Sequence, residues 1–258
     1  MTDRTDDGDG GYAVKSVKTS YDIVEVLRAQ GPLRLSEIVA ELDVTKGAVH
    51  QHLQTLQRLG YVIKQDTRYT LGLQYLELGD VTRKRHPVYE VAKRELRKLA
   101  KTCGETATLM ILEDGYGIYV FHSTGGGKDL PRQIPLGERI PLVESVPGRS
   151  ILSELPPGER QTHVSDDTWE EIEQNQSEIQ GQSLVIGHDR ETETNTIGRA
   201  ILNDEGQPIG AISIVGSVDE LRGRRLSEDV VGMVVNTVRS IQMQLTNYGS
   251  ETESMTSE

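Results

Sequence analysis

The sequence predicts an α+β protein: an N-terminal winged helix-turn-helix, a linker helix, and a C-terminal antiparallel sheet covered by helices. Three observations carry this. Between residues 19 and 71 the order reads helix, helix, tight turn, helix, hairpin. Residues 81–102 are strongly basic and keep apolar residues at helical spacing. From residue 104 onward, alternating runs around turn residues are interleaved with helical segments, the pattern of a sheet with helices packed on it.

The elements follow in order. The first helix covers Ser20–Gln30, with Ile23, Val26 and Leu27 at i, i+3, i+4 and Gly31-Pro32 ending it. The second covers Ser36–Leu42, with Ser36 as N-cap and Ile38, Val39 and Leu42 on one face. Asp43-Val44 makes a very short turn. The third begins at the N-cap Thr45, carries Val49, Leu53, Leu56 and Leu59 along one face, and meets Gly60 where a left-handed residue belongs. Tyr61–Lys64 and Arg68–Leu71 then alternate around Gln65-Asp66-Thr67 as a hairpin.

Residues 72–102 read as helical with a break before Pro87. The second part starts with a strand pair, Thr106–Leu112 and Gly115–His122, around Glu113-Asp114. A glycine loop opens at Gly125-Gly126-Gly127. A short helix within Ser145–Pro157 turns Ile151 and Leu152 inward, and Trp169–Ile179 is an acidic helix. Thr196–Asn203 and Pro208–Gly216 form a second hairpin, and Ser227 caps a last helix with Val230, Val234, Val238, Ile241 and Leu245 inward. The expected limits are a disordered tail 1–12, the winged helix-turn-helix 13–78, the linker helix 79–102, the C-terminal domain 103–247, and a disordered tail 248–258.

Composition narrows the function. The chain has 258 residues, 35% of them hydrophobic, with a formal net charge of −12. No apolar run approaches the ~18 residues a membrane span needs, and the acidic start has no apolar core, so no membrane or secretory role is expected. One cysteine, Cys103, excludes a disulfide framework and a cysteine-built zinc site. A cytoplasmic protein is expected. An acidic whole argues against nucleic acid, but the charge is unevenly spread: residues 12–80 are neutral, 81–102 carry +6, and 103–258 carry −15. One lysine, Lys128, follows residue 101, a composition that matches the surface of a salt-adapted protein.

The third helix supplies the chemistry for DNA. Its outward residues Lys46, Gly47, His50, Gln51, Gln54 and Arg58 are polar, free of acids, and small at the N-terminal end. A short turn lets the second helix brace the third, whose exposed face enters the major groove. Lys64 and Arg68 of the wing are placed to reach phosphates. With the caps Ser36 and Thr45 and the small Ala48, these residues form the expected DNA-binding set. The cations at 83–85 are expected to assist from the end of a mainly structural linker.

Nothing assembles an enzyme. His50 and His52 are two residues apart on a helix and face different ways. Gly127-Lys128 mimics the end of a phosphate loop, but the motif's other positions fall on His122 and Asp129. No metal or cofactor is expected.

The segment VKTSYDIVEVLRAQGPLRLSEIVAELDVTKGAVHQHLQTLQRLGYVIKQDTRYTLGLQYLELG resembles the N-terminal domain of IclR-type transcriptional regulators. The likeness rests on the L-S-E-I start of the second helix, the K-x-x-V-H-x-x-L core of the third and the R-Y-x-L-G ending. GETATLMILEDGYGIYVFHSTGGG and PIGAISIVGS are similar to that family's effector-binding domain, so the resemblance covers about residues 15–246.

The resemblance implies a GAF-like C-terminal domain that binds a small metabolite, a homodimer or homotetramer, and an operator in double-stranded DNA, more often for repression than activation. It places the effector at Ser145, Val146, Pro147, Gly148 and Arg149, near Asp189, and at Ser213 and Val215. The chain departs from the family's usual S-x-x-G-K-A, which here reads Ser145-Val146-Pro147-Gly148-Arg149-Ser150, and from S-x-S-G, where Val215 replaces the second serine. The backbone N–H groups of Gly148 and Arg149, read as preceding a helix at Ser150–Leu155, favour an anion, and Val146, Pro147 and Val215 favour an apolar body. Two other readings fit the same residues: an activator of the same kind, and a small-molecule sensor whose helical domain binds protein.

Overall fold

The computed structural model describes residues 14–126, 134–175 and 184–256, and the chain divides after Thr82 into two units. The expected tail 1–12 and the acidic segment past Asn175 lie outside the described residues.

The first unit is built from α1 (Lys15–Gln30), β1 (Leu33–Arg34), α2 (Leu35–Ala40), α3 (Lys46–Arg58), β2 (Val62–Gln65), β3 (Arg68–Leu71) and most of α4 (Gln74–Lys84). Ile23 and Leu27 of α1, Ile38 of α2, and Val49, Leu53 and Leu56 of α3 close one core with Val62 and Tyr69 of the hairpin. The helical spacing alone fixes which faces meet. Thr45 caps α3 as expected, its Oγ1 accepting the Ala48 N–H at 3.4 Å, and Gly60 ends it at φ 80°. The Ser20 and His52 side chains share a hydrogen bond of 2.8 Å that ties α1 to α3.

Two sequence expectations need correction here. The hairpin is the larger part of a three-stranded sheet, β1-β3-β2, with Leu33 opposite Tyr69. Because β1 runs straight into α2, the helix begins one residue early, and Ser36 is inside its first turn and exposed rather than a cap. The N-cap position is Arg34, whose N–H is taken by the Glu37 carboxylate at 2.7 Å.

The second unit carries α5 (Pro87–Cys103), β4 (Thr106–Glu113), β5 (Tyr116–Thr124), β6 (Arg139–Pro141), α6 (Val146–Glu154), α7 (Pro157–Arg160), α8 (Asp166–Asn175), β7 (Leu184–Asp189), β8 (Thr194–Leu202), β9 (Pro208–Ser217) and α9 (Val231–Thr256). The strands form one antiparallel sheet in the order β6-β5-β4-β9-β8-β7. Strand alternation splits its side chains between two layers. Leu109, Ile197, Ile212 and Ile214 meet Leu96 and Leu99 of α5 and Val234, Val238 and Ile241 of α9. On the other face Met110 and Ala211 meet Ile151 and Leu152 of α6 and Trp169 of α8.

The chain does break before Pro87, as expected, but α5 is not a free-standing linker: seven of its residues are buried in the second unit. Its cations pair along the helix, Lys93 with Glu90 and Lys98 with Glu95 at 2.9 Å. Helical backbone already exists at Gly223, and a π-turn over Arg225–Val230 leads into α9, so Ser227 lies inside that turn and caps nothing. α9 runs on to Thr256, past the expected end of order at 247, with no proline to stop it.

Candidate nucleic-acid interface and ligand cavity

In the first unit, α3 presents Lys46, Gly47, His50, Gln51, Gln54 and Arg58 to solvent along one side while Val49, Leu53 and Leu56 face the core. No acid lies within α3, so this face carries only positive and neutral groups. Ala48 is half-buried, and its N–H is engaged by Thr45, whose hydroxyl is therefore occupied as a cap. In the wing, Lys64 is exposed with its ammonium 5.2 Å from the Tyr69 ring.

Arg68 departs from its expected role. Its Nη1 donates to the Pro32 carbonyl at 2.8 Å and to Glu37 at 3.3 Å, so the guanidinium braces β1 and α2 instead of standing free for a phosphate. The sequence spacing gave no sign of this, because Pro32 and Glu37 reach Arg68 only once β1 pairs with β3.

In the second unit, a cavity of about 320 Å³ opens between the α6 face of the sheet, the start of α6 and the end of β7. That is near the lower end of the ~300–1,000 Å³ usual for small-molecule sites. Ser145, Val146, Pro147, Arg149, Asp189 and Val215 all line it. Gly148 and Ser213 do not line it. Ser213 is fully buried on the same sheet face, directly opposite Thr108 in the register, its hydroxyl 2.7 Å from that of Thr108.

The helix-start argument for anion binding also changes. α6 begins at Val146, capped by Ser145, so Gly148 and Arg149 are within the helix rather than before it. Their N–H groups go to the Ser145 side chain at 3.1 Å and the Ser145 carbonyl at 2.8 Å. What remains for an anion is the Arg149 side chain. Its Nη1 donates to the Val143 carbonyl at 3.1 Å, while its Nε is buried with no hydrogen-bond partner among the described residues. Burial pulls the guanidinium below the ordinary arginine pKa, against a smaller opposing effect of Tyr119. Gly187 makes the space: a Cβ there would lie 2.4 Å from Val146 Cγ2 and 2.9 Å from Arg149 Nη2.

Several lining residues escaped the sequence reading: Thr108, Tyr119, Thr194 and Thr196 on strands, and His188 and Arg190 at the end of β7. Strand alternation was a usable signal for Thr196 and Thr108, which stand opposite Val215 and Ser213 in the register. β7 entered the expectation only through Asp189 at its end. Asp189 is partly committed, its Oδ1 accepting the N–H groups of Glu191 at 2.9 Å and Thr192 at 3.2 Å. Among the described residues no cluster of three or more His, Cys, Asp or Glu side chains is placed to hold a metal, and no helix is long and apolar enough to cross a membrane.

Comparison with known proteins agrees with this division. Residues 20–66 match the model of the IclR helix-turn-helix domain, and residues 81–243 match that of the bacterial transcriptional regulator IclR C-terminal domain. The chain is 24% identical to the probable HTH-type transcriptional regulator ArcR of Halobacterium salinarum, over 90% of this chain and 94% of that one. It is 25% identical to the HTH-type transcriptional regulator KipR of Bacillus subtilis, over 90% and 95%. Its fold is similar to that of the Thermotoga maritima IclR (TM-score 0.71, 20% identity, covering 90% of this chain and 98% of that one). It is also similar to that of a Microbacterium hydrocarbonoxydans IclR homologue complexed with 4-hydroxybenzoate (TM-score 0.73, 16% identity, covering 90% and 99%).

Proposed function

The chain belongs to the IclR family of DNA-binding transcriptional regulators, which are not enzymes, and from that premise we propose that it is a cytoplasmic repressor released from its operator by a small acidic effector. The observation that carries the DNA reading is the acid-free exposed face of α3. Gln51 and His50, in the first turns, meet base edges in the major groove. Lys46, Gln54 and Arg58 flank them, and Lys64 holds a phosphate from the wing. Ser36 and Arg68 support these contacts through the α2 and β1 scaffold.

One such helix gives too few base contacts for the ~10⁻⁸–10⁻¹¹ M affinities of specific regulators, so the working form is a homodimer or a tetramer of two dimers. The surface that favours a second copy is in the first unit: α4 buries none of its residues, Leu73 and Leu76 are 81% and 68% exposed, and Val14, Val17 and Tyr21 form an outward stripe on α1. Apolar stripes of this kind mark contact sites.

The effector occupies the cavity beside Arg149, with Ser145, Val146, Pro147, Asp189 and Val215 around it. Its binding shifts the population between dimer arrangements with different half-site spacing. Occupied promoters are blocked to transcription. The test is selection of bound fragments from random and genomic DNA by the full chain, followed by footprinting. Recovery of a two-fold symmetric site supports the reading; no enrichment over a mixed-sequence competitor refutes it.

A further inference from the structure

We infer that the second unit makes its own contact with DNA: the outward face of α5 binds the phosphate backbone of the duplex. This rests on the DNA-binding reading of the first unit. It moves the expected cationic contribution from residues 83–85 to Arg94, Arg97, Lys98 and Lys101.

Charge in this unit is sorted by face. Arg94, Arg97, Lys98 and Lys101 stand at i, i+3, i+4 and i+7, one stripe of the helix, and all four are exposed. The other exposed residues of α5 are Pro87 and Thr102. The two acids of the helix are engaged along it: Glu95 is 12% exposed and meets Lys98 at 2.9 Å and Arg94 at 3.8 Å, while Glu90 pairs with Lys93. Arg97 holds its guanidinium 5.4 Å from the Phe121 ring. Beside α5, residues 231–250 of α9 carry one charged group, the exposed Arg239. Acids stand at the ends of this layer: Asp204 against Thr246, and Glu228 and Asp229 in the π-turn, where Glu228 pairs with Arg224. On the opposite face of the sheet, α8 carries five acids, all exposed, and no cation. The fold gives no reason for the clustering on α5, because Arg94–Lys98 and Arg97–Lys101 are like-charge pairs at i, i+4, which destabilise a helix.

A second copy fits this face poorly. α5 and α8 lie on opposite faces of the sheet, so pairing them between copies is head to tail and generates rings or open filaments rather than a two-fold dimer. Two α5 faces against each other bring like charges together. An acidic protein also fits poorly, because protein interfaces need aromatic or apolar anchors at their centre, and between Arg94 and Lys101 the exposed residues are cations alone. Phosphate contacts need no such anchor and read no sequence. The spacing suits a duplex. From Arg94 to Lys101 the helix rises about 10 Å. A duplex carries one phosphate charge per ~1.7 Å of its axis, so about six phosphates lie along that length, about three on each strand. Residues 12–80 have no net charge and residues 103–258 carry −15, so a cationic face is what lets so acidic a unit stay beside bound DNA.

The test is fluorescence anisotropy titration of the full chain across a salt series. It uses two duplexes of equal length, one selected by the wild-type protein and one of unrelated sequence. The α5 variant combines Arg94→Gln, Arg97→Gln, Lys98→Gln and Lys101→Gln. A charge control combines Asp166→Asn, Asp167→Asn, Glu170→Gln and Glu171→Gln on α8, and a third protein carries both sets. Circular dichroism confirms that each folds, and light scattering reads its assembly. The α5 variant is expected to bind both duplexes at least tenfold more weakly, with the slope of log affinity against log salt reduced by about 2 or more and the preference between duplexes unchanged. The combined protein, restored to the wild-type net charge, is expected to keep that loss. A smaller change in slope, or a loss confined to the selected duplex, overturns the inference. Wild-type affinity in the combined protein also overturns it, by showing an effect of net charge alone. Loss of assembly in the α5 variant overturns it by giving the face to a second copy. If the α5 variant fails to fold, the pairs Arg94→Gln with Lys98→Gln and Arg97→Gln with Lys101→Gln are read separately, each for about half the change in slope. Wild-type protein that binds neither duplex overturns the DNA reading together with this one.

Discussion

Glu105 and Arg225 form an ion pair of 2.8 Å in the second unit, with the Glu105 side chain 5% exposed and that of Arg225 42% exposed. The same Arg225 nitrogen donates to the carbonyl of Cys103 at 2.6 Å. One guanidinium thus ties the last residue of α5, the residue before β4 and the π-turn that opens α9. The pair fits because Gly216 of β9 has no side chain: a Cβ there would lie 2.6 Å from Glu105 Oε2.

Removing the acid should therefore cost more than removing an ordinary surface pair. Glu105→Ala is expected to lower the stability of the second unit by about 1–3 kcal/mol, with Arg225 partly relieved by solvent. Glu105→Gln should lose less, because the amide oxygen still accepts. Urea denaturation measures both; a midpoint unchanged in Glu105→Ala would mean that the pair contributes no more than a surface contact.

Cys103 gives a pH dependence whose sign can be worked out. Burial, more than any nearby charge, raises the thiol pKa above its ordinary value. The folded state then binds the proton more tightly than the unfolded state. The stability this contributes is complete below the ordinary thiol pKa of about 8.5, and is lost as pH rises through the higher folded value. The native protein should also label slowly with iodoacetamide at pH 8 and rapidly in urea. Equal labelling rates in the two conditions would show an accessible thiolate.

Much of this fold is written locally. Thr45, Gly60 and the apolar spacing of α1 and α3 act within a few residues, so the first unit could be read in order from its N-cap to its hairpin. A short helix is legible within Ser145–Pro157, but the sequence places its start at Ser150, whereas the structure starts it at Val146 with Ser145 as the cap. What could not be read depends on distant pairing. β1 is two residues long and has no periodicity, yet it moves the start of α2 and so takes the cap from Ser36. Ser227 has the chemistry of a cap, but the chain turned helical before reaching it. For the cavity, the α6 loop was visible from sequence, while Thr108, Thr194 and Thr196 became lining residues only when β4, β9 and β8 aligned. Ser213 has the right parity and sits opposite Thr108 in the register, but its hydroxyl is engaged by Thr108 and it does not line the cavity.

The exposed Leu73, just before α4, and Leu76 within it should report on assembly. Leu73→Gln with Leu76→Gln is expected to convert a dimer into a monomer, or to weaken it by at least tenfold, without unfolding, because neither side chain packs within its own unit. Multi-angle light scattering across a dilution series measures this. A double variant that remains fully dimeric at micromolar concentration would place the interface on another surface.

Phosphate and base contacts should separate by salt and by sequence. Arg58→Ala and Lys64→Ala are expected to weaken all DNA sequences alike, each reducing the slope of log affinity against log salt by about 1. Gln51→Ala and His50→Ala should instead change which sequences are preferred. Binding selections on the four variants test both halves. An unchanged base preference in both the Gln51 and His50 variants would remove those residues from direct readout.

Gly47 offers a test in which stability and function move in opposite directions. It is exposed in the first turn of α3, and a Cβ added there would meet nothing within 4 Å. The fold therefore gives no steric reason for glycine, and glycine costs a helix up to about 1 kcal/mol relative to alanine. Gly47→Ala should raise the melting temperature of the first unit, by an amount limited by the position so near the helix start. If the missing side chain is what lets α3 approach the DNA backbone or a base edge closely, the same change should weaken specific binding by about tenfold. Measuring thermal unfolding and DNA affinity on the same variant distinguishes the cases. A variant that is more stable and binds equally well would show that Gly47 is not at the interface, and would turn the recognition face toward Gln51 and Gln54.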